Sequence, residues 1–268
     1  MASVKDIVRL INAVAPECNA IKDGYDNVGL IVGKTENEVS KVLCCLDVTE
    51  EVLAEAIELD AQMIIAHHPM LFMPTNRVTD DTVLGRKIIT AIESGIAIYA
   101  AHTSLDFTAG GINDYVAKLL RLENFHVMDP YISDIDGLGR VGDLAEKKLV
   151  TALKEEVEKI FSDAYVRVIG EPYDYVSRVA VINGAGGGDT SYVDLALDAG
   201  ADCLITADLK HHVAVYAKEN GITVIEPQHY TMEHVYISEL VRILDEEAQE
   251  TDLDVTFIQS EKDINPRI

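Results

Sequence analysis

The chain has 268 residues, 48% hydrophobic and 25% charged, which is the range of a globular protein with room for a large core or two lobes. Its 22 basic and 46 acidic residues give a net charge of −24, a field that repels nucleic-acid phosphates and disfavours polyanionic substrates. No stretch approaches the ~18 apolar residues of a membrane span, and the segment from Met1 to Asp6 has no signal-peptide core, so a cytoplasmic protein with no membrane and no nucleic-acid partner is expected.

Apolar residues recur at helical spacing over residues 4–14. Asp26 and Asn27 form a turn before a strand that ends near Gly33. Residues 42–48 read as another strand, with Cys44 and Cys45 as small buried thiols on opposite faces. Together with Cys18 and Cys203 they show no Cys-x-x-Cys spacing, which fits a reducing compartment. Thr49 is the expected N-cap of a helix reaching residue 59. A strand over 63–66 leads into His67-His68-Pro69; a helix over 82–93 and a strand over 96–100 lead to His102. Gly110-Gly111 is a turn before a helix over 112–120. Residues 129–175 look less regular: 134–142 reads as turn-rich, 147–161 as an amphipathic helix and 164–169 as a strand.

The earlier rhythm then returns. A strand over 178–182 precedes the run Gly184 to Gly188, read as a plain strand-to-helix turn, and a helix over 191–199. A strand over 203–206, a helix beginning at His211-His212 and a strand over 222–225 lead to His229. The tail beyond Leu244 is acidic, with a short strand at 255–258. Strands and helices thus alternate, and the strands are almost continuously apolar. This is the pattern of an α/β fold whose sheets are mostly parallel, with ligands gathering beyond the carboxyl ends of the strands. Order and spacing suggest a weak internal duplication: two similar α/β lobes, 1–126 and 127–268, around a shared cleft.

Three strand ends carry metal-binding residue types. His67 and His68 are adjacent; strand alternation points them apart, so each can reach a different ion. His102-x-x-x-Asp106 and His229-x-x-x-Glu233 place an imidazole and a carboxylate on one face if a helical turn begins there. These groups suit zinc, iron, manganese or nickel. The competing reading is a set of polar strand-end residues that cap helices. His211 and His212 mirror His67-His68 and leave two readings open, a solvated helix start or subunit contact, and metal ligation; His126 and His234 fit ordinary surface positions.

Several separated motifs stand in a familiar order: Asp26-Asn27-Val28-Gly29-Leu30, His67-His68-Pro69, His102-Thr103-Ser104-Leu105-Asp106, Gly110-Gly111-Ile112-Asn113-Asp114, residues 137–142, residues 206–212 and His229-Tyr230-Thr231-Met232-Glu233. Through them the chain resembles, almost end to end, the YbgI-like or Nif-three-like dinuclear metal-centre proteins, some of which carry the name GTP cyclohydrolase I type 2. The resemblance implies two divalent ions per chain held by His67, His68, Asp106, His229 and Glu233, with Glu233 able to bridge. It places His102 close by, as an outer-sphere group or proton shuttle with a catalytic role. It implies a homo-oligomer, a toroidal hexamer built as a trimer of dimers. Departures occur at Tyr25-Asp26-Asn27, where Trp is common, at Pro227-Gln228-His229, which replaces Gly, and at Thr206-Ala207-Asp208.

The expected activity is that of a metal-dependent hydrolase using a metal-bridging hydroxide on a small-molecule substrate. In the GTP cyclohydrolase version the purine imidazole ring opens with loss of formate. Only Lys210 and Arg140 offer basic groups near the motifs for a triphosphate. The alternative is a non-enzymatic metal carrier, store or metal-responsive adaptor with the same ligands.

Overall fold

The computed structural model describes residues 2–21 and 26–267, so Tyr25 lies outside the described residues. The chain divides into two compact units: Met1–Leu105 with Tyr236–Ile268, and Asp106–Val235. The first unit begins with β1 (Ala2–Ser3), α1 (Val4–Val14), β2 (Gly29–Val32), β3 (Glu38–Val39), β4 (Lys41–Cys45) and α2 (Glu50–Glu58). It continues through β5 (Met63–Ala66), α3 (Val83–Glu93) and β6 (Ala97–Ala100) into α4 (His102–Phe107), within which the division falls. The second unit holds α5 (Ile112–Leu119), β7 (Glu123–Pro130), β8 (Gly137–Leu149), α6 (Val150–Phe161), β9 (Arg167–Ile169), β10 (Tyr175–Val181), α7 (Thr190–Asp198), β11 (Cys203–Ile205), α8 (His211–Glu219), β12 (Thr223–Glu226) and α9 (His229–His234). Helix α10 (Ile237–Glu250) and β13 (Thr256–Gln259) return to the first unit.

The first unit's five-stranded sheet runs β13-β4-β5-β6-β2. Its first three pairings are parallel and β2 is antiparallel. Strands β5 and β6 are buried along their whole length, as is β4 from Val42 onward, because both faces of the sheet are covered; hence their unbroken apolar sequences. Leu43, Cys45, Ile64, Ala66 and Ile98 meet Val52, Leu53 and Ala56 of α2 and Ala91 of α3 in one core. Thr49 and Thr82 start those helices as expected, their hydroxyls accepting the N–H groups of Val52 at 3.1 Å and Gly85 at 3.0 Å.

The second unit's six-stranded sheet runs β7-β8-β10-β11-β12-β9. Its central β10-β11-β12 pairings are parallel and the flanking ones antiparallel. Val141, Ala180, Leu204 and Val224 pack on Val193 and Ala196 of α7 and Val213 and Ala217 of α8. The duplication is therefore visible as element order. The parallel triplets β4-β5-β6 and β10-β11-β12 each end in a six-residue helix whose first residue is histidine, α4 and α9. Among the described residues no helix is long and apolar enough to cross a membrane.

Two features differ from the sequence reading. The units are not cut once after residue 126: α5 and β7 belong with β8, whereas β13 pairs with β4 of the first unit. The segment 134–142 is also not mainly turn. A short turn around Ser133–Asp136 opens into the 13-residue strand β8. Its glycines mark close approach: a Cβ on Gly137 would sit 2.2 Å from the Asp129 carbonyl, and one on Gly142 2.7 Å from Phe125 Cβ.

Candidate metal centre

The histidine pair extends the β4–β5 ladder. The His67 N–H bonds to the Cys45 carbonyl at 3.0 Å and the His68 N–H to the Leu46 carbonyl at 2.9 Å, which fixes both side-chain directions. Helix α4 begins one residue after β6 and brings in His102. The ring centroids stand 4.8 Å (His67–His68), 5.4 Å (His67–His102) and 5.7 Å (His68–His102) apart. One nitrogen from each of the three lies within 4.8 Å of the others. His102 is thus a full member of the first unit's cluster, and His67 is almost completely buried.

Two of these rings are held by acids from neighbouring strand ends. Asp47, just past β4, meets His68 Nδ1 at 3.0 Å; Asp26, before β2, meets His102 Nδ1 at 2.7 Å. Burial alone would raise the Asp26 carboxyl, but bonds from His102 and Thr103 outweigh it and hold Asp26 below the usual carboxylate range, so it stays ionised.

The second unit repeats the device. Asp208, just past β11, meets His229 Nδ1 at 2.7 Å. One helical turn on, Glu233 is buried with an oxygen 2.8 Å from His229 Nε2. Asn183, at the end of β10, donates its amide to Asp106 at 2.8 Å and to Glu233 at 3.0 Å, tying the two carboxylates together without adding charge. Asn113 anchors this bridge, accepting the Asn183 N–H at 2.9 Å and donating to the Asp106 carbonyl at 3.0 Å. Gly184, with φ +63°, lets the chain pass Glu233: a Cβ there would lie 2.3 Å from the carboxylate. The glycine run is thus more than a turn. Asp163 accepts the Gln228 N–H at 2.6 Å, the Gln228 amide at 2.9 Å and the Thr231 hydroxyl at 2.9 Å, which seats the start of α9.

These residues fit a metal. An imidazole whose Nδ1–H is given to a carboxylate keeps Nε2 as its ligand atom, the usual setting of a metal-bound histidine. In the second unit, His229 Nε2 and a Glu233 oxygen are both acceptors when Nδ1 carries the proton. At 2.8 Å they need a proton or a cation between them. The donors are imidazole and carboxylate; the thiols of Cys44, Cys45 and Cys203 are buried elsewhere, and burial pushes them up.

Other histidines stay apart. His211 and His212 are exposed on the first turn of α8, and His126 is exposed on β7. His234 is not an ordinary surface residue: it is half-buried and stacks on Tyr230 at 4.6 Å, and burial lowers its pKa. Arg140 is buried, paired with Asp114, and donates to the carbonyls of Gly137, Gly139 and Thr108 at 3.0, 2.8 and 3.2 Å. A guanidinium so occupied is not a phosphate clamp. Asp47, Asn183 and Asp163 were not singled out by the sequence, and Asn113 and Asp208 stood there only inside motifs, with no role given; for Asp47 and Asn183 a lone polar residue after an apolar strand was the only signal.

Fold and ligand sets together define an α/β protein with clusters of possible metal ligands at its strand ends. The chain belongs to the Duf34/NIF3 (NGG1p interacting factor 3) family, whose model matches residues 2–266. It is 34% identical over 264 residues to a Clostridium perfringens protein named GTP cyclohydrolase 1 type 2 homolog, covering 98% of both chains. Among solved structures it is similar to a Bacillus cereus protein related to NIF3 (26% identity, 100% and 99% of the two chains, TM-score 0.92). It is also similar to reduced HcgD from Methanocaldococcus jannaschii (30% identity, 97% and 98%, TM-score 0.80).

Proposed function

We propose that His67, His68, Asp106, His229 and Glu233 hold two divalent cations, zinc, iron, manganese or nickel, and that the centre hydrolyses a small-molecule substrate. The observation that carries this reading is the repeated acid–imidazole pair, Asp47–His68 and Asp208–His229, each joining neighbouring strand ends. Bound cations would lower the pKa of water towards neutrality and stabilise negative charge developing on the attacked group. Asp26 keeps the proton on His102 Nδ1, so Nε2 accepts and returns a proton beside the cluster; we assign His102 that transfer. The relatives' name points to GTP; of the two basic groups near the motifs Arg140 is committed inside its own unit, and the exposed Lys210 alone is a weak hold for a triphosphate, so that part of the name is not carried over. A toroidal hexamer in the cytoplasm completes the proposal, with assembly read by light scattering.

The test is elemental analysis of gently purified wild type, His68→Ala and Glu233→Ala, followed by a hydrolysis screen with the native metal. About two ions per chain, reduced in both variants, support the centre. Turnover that His102→Ala abolishes while metal content stays supports the hydrolase. Full metal with no turnover on esters, nucleotides or phosphodiesters turns the reading to a carrier or store.

A further inference from the structure

We infer that Phe72 is an apolar contact surface for the planar part of the substrate, beside the histidine cluster of the first unit; this rests on the hydrolase reading above. Met70 and Leu71, which follow His67-His68-Pro69, pack against the first unit's core, so the loop is anchored where it leaves the histidines. Phe72 is 42% exposed, and its ring meets the His102 imidazole at 5.9 Å and a near-perpendicular 82°. The Asn27 amide donates to the Leu71 carbonyl, and the preceding residue, Asp26, holds His102. One dipeptide therefore fixes both the imidazole and the backbone that presents the phenyl ring.

A partly exposed phenyl ring beside an imidazole can offer its face to a flat apolar group. The −24 charge, the occupied Arg140 and the single exposed Lys210 left near the motifs disfavour recognition through several phosphates. The ligand class that fits is a small molecule of low charge, with an aryl or other flat unsaturated group next to the oxygen-bearing group that meets the metals.

Acetohydroxamate and benzohydroxamate, which chelate metal alike and differ in the ring, separate the two ideas. Their affinities for the zinc-loaded full chain are measured by calorimetry in wild type, Phe72→Ala and Phe72→Leu. The expected result is tighter binding of benzohydroxamate by wild type, a preference at least fivefold smaller in Phe72→Ala and intermediate in Phe72→Leu, with acetohydroxamate affinity and zinc content unchanged. An unchanged preference in both variants overturns the role of Phe72 and leaves the metal centre standing. Failure of acetohydroxamate to bind zinc-treated wild type removes the metal reading, and the Phe72 surface falls with it.

Discussion

Replacing Gly184 by alanine tests the second unit's ligand set at its tightest point. Gly184 has φ +63° and ψ −136°, a region open almost only to glycine, so the backbone cost is about 1–3 kcal/mol. The new Cβ would lie 2.3 Å from Glu233 Oε1, inside the 3.0 Å that real Cβ contacts keep, so the carboxylate must retreat by at least 0.7 Å. That shift strains its bonds to Asn183 at 3.0 Å and His229 at 2.8 Å. Metal–ligand distances tolerate only about 0.2 Å, so metal affinity should fall by about 10–100-fold. Gly221→Ala is the control: φ is also positive, +76°, but nothing lies within 4 Å of its Cβ position. The assay is zinc titration against a competing chelator, with melting of the metal-free proteins to compare folds. Both variants lose stability, and only Gly184→Ala loses metal. Equal zinc affinity in the two variants would refute the placement of Glu233 as a ligand.

Asp47→Asn and Asp208→Asn keep a hydrogen-bonding oxygen but lose the charge that holds His68 and His229, so zinc affinity should drop about tenfold in each; unchanged chelator competition in both would count against the acid–imidazole argument. Asp263 accepts the Leu46 N–H at the end of β4, and burial raises its carboxyl from 3.8 to about 6. The protonated form is then the one the fold favours, so this stability is complete below about pH 3.8 and is lost as pH rises through 6. Between pH 5 and 7.5 metal-free wild type should lose about 1 kcal/mol relative to Asp263→Asn, after a discount for solvent access. Urea unfolding at the two pH values measures it, and a flat or reversed difference contradicts the burial argument.

The α/β class was legible because buried parallel strands are apolar on both faces, and Met63–Ala66 and Ala97–Ala100 show this without interruption. The clustered histidines were legible because histidines directly after such strands stand out. The supporting groups were not: Asn183 reaches Asp106 across 77 residues and Asp163 reaches Gln228 across 65, and no local pattern signals such contacts. Gly137 and Gly142 misled because glycine at a close backbone approach looks like glycine at a turn. The destination of β13 was hidden for a related reason, since a four-residue strand with one buried side chain, Phe257, fits either unit until β4 supplies a parallel partner.

That partner strand sets an order on synthesis. Strand β4, Lys41-Val42-Leu43-Cys44-Cys45, is made early, yet its outer edge is covered only by Thr256–Gln259, made more than 200 residues later. Residues 106–235 can complete their own sheet in the interval, while an apolar edge of the first sheet waits uncovered. Glu55 then fastens the arriving tail, taking hydrogen bonds from Ser260, Glu261 and Lys262. A ribosome stalled before residue 256 would therefore hold a nascent chain with a sticky strand, a natural substrate for chaperones.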